Sequence, residues 1–330
     1  MLVGLFLAAF ALCTLLVYLY AEWLRRHSVF EIPNARSSHS EPIPSGGGLP
    51  VMAVVLWCAV LVHGIPEPAV ALPMLWAAVL AAISWADDRR PLPAWFRLGL
   101  HVVAVATCLY ALPGEQRIAF AGIPWLADRL IVGFCWVWFI NLYNFMDGID
   151  GLAGSETVFL ALGILLIAGT LGVRPEMLTL AAALAGGALG FLVWNWQRAR
   201  VFFGDSGSIP VGFLLAWMLI QIATLGAPVA AGILPLYFLT DATYTLLKRM
   251  VAGEAFWRPH RQHFYQLAVR AGLSHQTVVL RIIAGNIVLL VCAALALHHP
   301  VLAVAAAMLT VTAVIYSLWR AWAASPAALG

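Results

Sequence analysis

Residues 129–151 read RLIVGFCWVWFINLYNFMDGIDG, an apolar run of helical length that ends in two asparagines and two Asp-Gly pairs. No charged side chain interrupts it from Leu130 to Met146, and it shows no two-residue alternation. A membrane-crossing helix is therefore expected rather than a barrel strand, since a lipid-exposed backbone must satisfy its own hydrogen bonds. Ionisable groups at membrane depth cost about 2.5–3.5 kcal/mol each on the insertion scale, and those that persist serve ion or substrate chemistry. Asp147 and Asp150 are the first functional candidates.

Outward from this stretch the whole chain has the same character. Its 330 residues are 63% hydrophobic and only 10% charged, with a mean hydropathy of +0.93. That is too little polar material to coat a soluble globule, so the sequence predicts one all-α, polytopic integral membrane domain spanning 1–330. About 20 apolar residues cross a bilayer, and shorter runs tilt or thin it. Eleven runs qualify: 2–21, 48–64, 69–86, 97–112, 129–144, 152–171, 176–195, 209–224, 228–247, 277–297 and 300–319.

Basic residues mark the cytoplasmic side of inserted helices. With the N-terminus outside, the connections at 22–47, 87–96, 145–151, 196–208 and 248–276 face inward. Those connections, the C-terminal tail and the adjoining helix ends hold all of the 18 basic residues except Arg117, Arg129 and Arg174. The net charge of +3 favours anionic headgroups or anionic substrates along that face and gives no argument for nucleic acid. Cys13, Cys58, Cys108, Cys135 and Cys292 all fall inside spans without paired spacing and read as small core hydrophobes. The apolar N-terminal run lacks a basic leader, so the first span is expected to be retained.

Every polar cluster with chemical potential falls on the inward connections. The first carries Arg36, His39 and the triplet Gly46-Gly47-Gly48 ahead of a span; glycine amides there can either form an anion nest or serve as a hinge. The second is Asp87-Asp88-Arg89-Arg90, a carboxylate pair suited to metal binding or general-base work, or else a salt-bridged helix end. In the third, Asn144, Asp147 and Asp150 share one face if helix persists, while Gly148 and Gly151 favour a turn that would still let the oxygens converge. The fourth sets Asn195 before Phe203-Gly204-Asp205-Ser206-Gly207, with Asp205 either a helix cap or a ligand for a hard cation. The fifth holds His260, Arg261 and His263, able to grip a diphosphate or simply basic because it is inside. Asp241 could pair with Lys248 or Arg249.

Taken in order, Arg36-x-x-His39-x-x-Pro42-x-Pro44-x-Gly46-Gly47, Asp87-Asp88, Asn141-x-x-Asn144-x-x-Asp147-Gly-x-Asp150-Gly, Asn195 with Phe203-Gly-Asp205-x-Gly-Ser, and His260-Arg-x-His263 resemble the polyprenyl-phosphate N-acetylhexosamine-1-phosphate transferases, glycosyltransferase family 4. The likeness covers nearly the whole chain. It implies transfer of a sugar 1-phosphate from a UDP-linked N-acetylated amino sugar to undecaprenyl phosphate, with release of UMP, at the cytoplasmic face of a bacterial inner membrane. It also implies Mg2+ as cofactor, with Mn2+ as a substitute, held by Asp205 and Asn144. Asp87, with Asp88 beside it, is the candidate base and His263 a further catalytic group. Asp147, Asp150, Asn195, His260, Arg261, Arg36, His39 and Gly47 are the implied substrate contacts. Membrane lipids are further partners, and a homodimer is an open assembly.

Departures from the pattern bear on the sugar. Arg261-Gln262-His263 stands where the peptidoglycan-precursor branches carry a histidine run, and His263-Phe264-Tyr265-Gln266 where N-acetylglucosamine branches continue His-x-His-His. This resembles the O-antigen initiating branch, which accepts 6-deoxy amino sugars such as N-acetylfucosamine or N-acetylquinovosamine; an N-acetylglucosamine-1-phosphate transferase is the alternative. A transporter or flippase would set its polar groups at the midplane on broken helices, and a scaffold would leave Asp87, Asp88, Asp147, Asp150, Asp205 and Asp241 without a purpose.

Overall fold

The computed structural model describes residues 1–31, 41–112, 118–119, 122–255 and 260–325. Arg36 and His39 lie outside the described residues. Among the described residues thirteen helices follow in order: α1 (Leu2–Arg26), α2 (Gly48–His63), α3 (Pro68–Asp87), α4 (Ala94–Tyr110), α5 (Trp125–Phe145), α6 (Leu152–Leu171), α7 (Pro175–Asn195), α8 (Asp205–Thr224), α9 (Pro228–Ile233), α10 (Leu236–Val251), α11 (Phe264–Arg270), α12 (His275–Leu295) and α13 (Pro300–Ala323). Eight of them, α1, α3, α5, α6, α7, α8, α12 and α13, are long and apolar enough to cross a membrane. α2 and α4 are apolar but shorter, at 16 and 17 residues.

The continuous span expected over 228–247 is instead broken into α9 and α10 at Leu234-Pro235. Proline has no amide hydrogen, and its ring collides with the carbonyl four residues back, so the helix stops and restarts with Pro235 at the cap. The connection at 248–276 also contains a helix, α11, that apolar-run counting could not reveal because it is only seven residues long.

α7 and α8 are the most enclosed helices, and α1 and α13 the least. Small residues on α7 allow close approach, as membrane helix pairs require in the absence of a hydrophobic drive between them. A Cβ added at Gly186 would come within 2.2 Å of the Phe6 carbonyl oxygen on α1, and one at Gly190 within 2.6 Å of the Phe10 oxygen. Trp194 reinforces this contact, its indole N–H donating to Thr14 O at 2.8 Å. Cys13, Cys58, Cys108 and Cys292 are buried as expected, whereas Cys135 is exposed on the outer side of α5, where a small apolar side chain suits lipid as well as core.

Candidate active site

At one end of the bundle the C-terminal ends of α3 and α5 meet the N-terminal ends of α4 and α8. Asp205 is the first residue of α8, but its carboxylate does not cap the helix. Instead Asn144 Nδ2, from the last turn of α5, donates to Asp205 Oδ1 at 2.8 Å and lies 2.8 Å from Ser208 Oγ. The other oxygen, Oδ2, accepts from Arg97 Nη1 at 3.2 Å. Arg97 Nη1 also donates to Asp87 Oδ2 at 2.9 Å. Asp87, Asn144 and Asp205, from three separate connections, thus converge on one place.

The pair Asp87-Asp88 is divided in its duties. Asp87 is 7% exposed and fully engaged, its second oxygen accepting the Leu92 amide. Neither Arg89 nor Arg90 pairs with it: the Arg89 guanidinium lies 3.5 Å above the Trp85 ring. Asp88 opens to a cavity of about 370 Å³ lined by Glu31, Ser45, Asp87, Arg97 and Asp205 among others. The cavity walls, and then the Asp205 charge, push the Asp88 carboxyl up to about 7. Arg97 was not singled out from the sequence, where it passes for the first residue of an apolar run; the cost of a cation at a span's edge was the available signal.

The glycine triplet packs against this site. The amides of Gly46 and Gly47 donate to Phe202 O at 3.2 and 2.8 Å, and that of Gly48 to Phe203 O at 2.9 Å. A Cβ at Gly48 would fall 2.0 Å from Gly207 Cα, so backbone meets backbone here. The Gly47 N–H, the candidate anion donor, is thus held by the Phe202 carbonyl. Gly204, at φ +75°, completes the junction with Gly46 N, Asp88 Oδ2 and Ser45 Oγ all within 3.1 Å of where its Cβ would stand.

α5 ends at Phe145, and residues 146–151 form a turn, not a continued helical face. Asp147 sits in this turn; burial, and then the carboxylates of Glu31, Asp205, Asp88 and Asp150, push its carboxyl well above the usual range. Asp150 is held differently. Its Oδ2 lies 3.2 Å from His275 Nδ1 at the start of α12 and accepts the Ala199 amide at 3.2 Å. Burial alone would raise the Asp150 carboxyl, but the His275 ring and the Ala199 and Arg198 amides outweigh it and hold it low. Arg198 adopts φ +60°, a strained conformation for a residue with a side chain, which turns its amide toward that carboxylate.

Asn195 is a buried bracket. Its Oδ1 accepts the Gly151 amide at 2.9 Å and its Nδ2 donates to Val201 O at 2.9 Å. With both ends of the carboxamide bound to backbone, it fastens the turn that carries Asp150 to the end of α7.

His263, the further catalytic group the resemblance implies, is 2% exposed and lies against Asp241 (Nδ1 to Oδ1 3.4 Å) and the Tyr265 ring. Asp241 pairs with neither Lys248 nor Arg249; it accepts the Phe264 amide at 2.9 Å and the Tyr237 hydroxyl at 3.0 Å, capping α11 from α10. Tyr265 then donates to Phe145 O at 3.0 Å, fastening this segment to the end of α5. Burial, and then His263 and Arg249, push His260 down to about 4, so its ring is neutral near pH 7 and lacks the positive charge a diphosphate grip needs. Arg261 stands half-buried beside it.

The carboxylates fit a hard cation. Asp88, Asp147 and Asp205 repel one another, with Arg97 the cation in direct contact, and Asn144 adds a neutral oxygen. Among the described residues no three His, Cys, Asp or Glu side chains form a ready-made ligand set. Mg2+ tolerates this, because it is bound by one or two carboxylates and takes its other ligands from water and phosphate oxygens.

Residues 70–223 match the family model described as Glycosyl transferase family 4. A phospho-N-acetylmuramoyl-pentapeptide-transferase of Moorella thermoacetica is 32% identical over 248 residues, covering 68% of this chain and 76% of the relative. The chain belongs to glycosyl transferase family 4. An undecaprenyl-phosphate alpha-N-acetylglucosaminyl 1-phosphate transferase of Yersinia pestis is 30% identical, covering 78% of this chain and 74% of its own. A decaprenyl-phosphate N-acetylglucosaminephosphotransferase of Mycobacterium leprae is 27% identical, covering 76% and 72%. The family 4 match runs from α3 into α8 and contains Asp87, Asp88, Arg97, Asn144, Asp147, Asp150, Asn195 and Asp205; Asp241, His263 and His275 lie beyond it.

Proposed function

We propose that this protein transfers a sugar 1-phosphate from a UDP-linked N-acetylated amino sugar to undecaprenyl phosphate, releasing UMP and beginning a lipid-linked glycan. The observation that carries this is the meeting of Asp87, Arg97, Asn144 and Asp205 beside a cavity into which Asp88 opens. Joining two phosphate-bearing anions requires neutralisation of charge and fixed positioning. Asp205 and Asn144 would hold Mg2+, which would supply that neutralisation when bound. Asp88 accepts a proton from the acceptor phosphate, while Asp87 holds Arg97 in place. Asp147 and the Asp150 turn shape the donor pocket, and Arg261 supplies positive charge at its edge.

The chain crosses a bacterial inner membrane eleven times, with α2, α4 and the α9–α10 pair as the shorter or interrupted spans and the site facing the cytoplasm, where UDP-sugars are made. It works surrounded by membrane lipids, alone or as a homodimer. UDP-N-acetylglucosamine is the donor that the named relatives favour; 6-deoxy amino sugars of an O-antigen pathway, N-acetylfucosamine or N-acetylquinovosamine, are the second reading, favoured by Tyr265-Gln266. Mass spectrometry of the lipid product formed by membranes given each UDP-sugar in turn decides between them. A diphosphate-linked sugar formed from one donor supports the assignment, and no lipid product from any donor refutes it.

A further inference from the structure

A buried polar contact joins α6 to α12 away from the carboxylate cluster. Asn286 Nδ2, on α12, donates to Glu156 Oε2, on α6, at 2.6 Å. Both residues are only 1% exposed. The two remaining oxygens, Glu156 Oε1 and Asn286 Oδ1, are buried without a hydrogen-bond partner among the described residues. Two acceptors at one contact therefore lack a donor.

The surroundings supply none. Among the described residues no basic side chain pairs with Glu156. The Tyr143 and Tyr237 phenols feel its field, but the first is committed to Ala153 O and Thr157 and the second to Asp241. An ionised Glu156 would be an uncompensated charge inside the bundle, which costs far more than a neutral polar group. A carboxylic acid, by contrast, offers one O–H and one carbonyl oxygen, which match the oxygen and the N–H of a primary amide.

We propose that Glu156 is present as the neutral acid and closes a two-bond acid–amide pair with Asn286, and that this pair is a positioning device for the donor pocket. Its proton supplies the missing donor to Asn286 Oδ1. The consequence follows from the chain's connectivity. Asp150 and Gly151 lead directly into α6, and His275, which contacts Asp150, is the first residue of α12. The same two helices are thus tied once at the site and once inside the bundle. The interior tie keeps α12 from shifting along α6 and so keeps His275 on Asp150. This role rests on the donor-pocket assignment above; the protonation state does not.

The test compares Glu156→Gln, Glu156→Ala and Asn286→Ala in the full-length protein in membranes. Glutamine puts an N–H where the acid has its O–H, so E156Q is expected to keep kcat/KM within about twofold, less than the worth of one hydrogen bond. E156A and N286A are expected to raise KM for the UDP-sugar about tenfold, with kcat little changed, the loss of one buried hydrogen bond at 1.4 kcal/mol per decade. The infrared difference between the purified unaltered protein and E156Q, both without substrate, isolates the acid from the raised carboxyls of Asp88 and Asp147: one protonated-carboxyl component should be lost in E156Q. No such loss, or an E156Q as impaired as E156A, overturns the neutral pair. A fall in kcat at constant KM in both alanine variants overturns the positioning role. The infrared result stands whether or not the protein proves to use a UDP-sugar.

Discussion

Asn144 and Asp205, 61 residues apart in sequence, are joined at 2.8 Å between the last turn of α5 and the first residue of α8. The contact leaves the Asn144 carbonyl oxygen and the Asp205 carboxylate side by side, the donor set assigned to Mg2+. In Asp205→Asn the shape is kept and the charge removed, so the protein is expected to insert normally and lose turnover. The accompanying measurement is thermal: at a hundred times its dissociation constant Mg2+ should stabilise the unaltered protein by about 2.7 kcal/mol and D205N by much less. Equal stabilisation of both would remove Asp205 from the metal role.

Arg97 holds two carboxylates with one guanidinium nitrogen, at 2.9 Å to Asp87 and 3.2 Å to Asp205. Arg97→Ala leaves the buried Asp87 without its cation, and a hydrogen bond to a charged group is worth about 2 kcal/mol, close to a thirtyfold loss of kcat/KM. Arg97→Lys keeps the charge but cannot reproduce the fixed donor geometry, so an intermediate rate is expected. UMP release by the three proteins at matched membrane levels checks the order; an unimpaired R97A would show that Asp87 needs no partner.

Gly48 faces Gly207 so closely that an added Cβ would lie 2.0 Å from its Cα. Neither side can yield by rotating a side chain. Gly48→Ala is expected to destabilise by about 3 kcal/mol, the upper range for overpacking, seen as a lowered melting temperature in detergent. Gly99→Ala, where nothing lies within 4 Å, is the control and should melt like the unaltered protein.

Asn195→Ala removes the bonds to Gly151 N and Val201 O and leaves two buried backbone groups unpaired, at about 1–3 kcal/mol apiece. Because the turn carrying Asp150 depends on the first of these, KM for the donor should rise with the fall in stability. A variant that loses stability while keeping the donor KM would confine Asn195 to folding alone.

The helices and the aspartates were legible in the sequence because both depend on local chemistry. Long apolar runs have few ways to exist besides crossing a membrane, and carboxylates beside them are too costly to be incidental. What could not be read was pairing across the chain. Arg97 meets Asp87 and Asp205 through a fold that brings α4 to α8, and His275 meets Asp150 through one that sets α12 beside α6. The glycine triplet has the composition of an anion nest, and only the carbonyls of Phe202 and Phe203 reveal that its amides are already used. The break at Pro235 was visible as a proline but masked by the hydrophobicity on either side of it.

The most direct measurement is UMP release from UDP-N-acetylglucosamine, or whichever UDP-amino sugar proves to be the donor, by membranes containing the protein, with Mg2+ and undecaprenyl phosphate each omitted in turn. UMP should appear only when both are present and should be absent with D205N under every condition. Release that continues without the lipid acceptor, or that D205N sustains, would contradict a single metal-assisted transfer site at the meeting of α3, α4, α5 and α8.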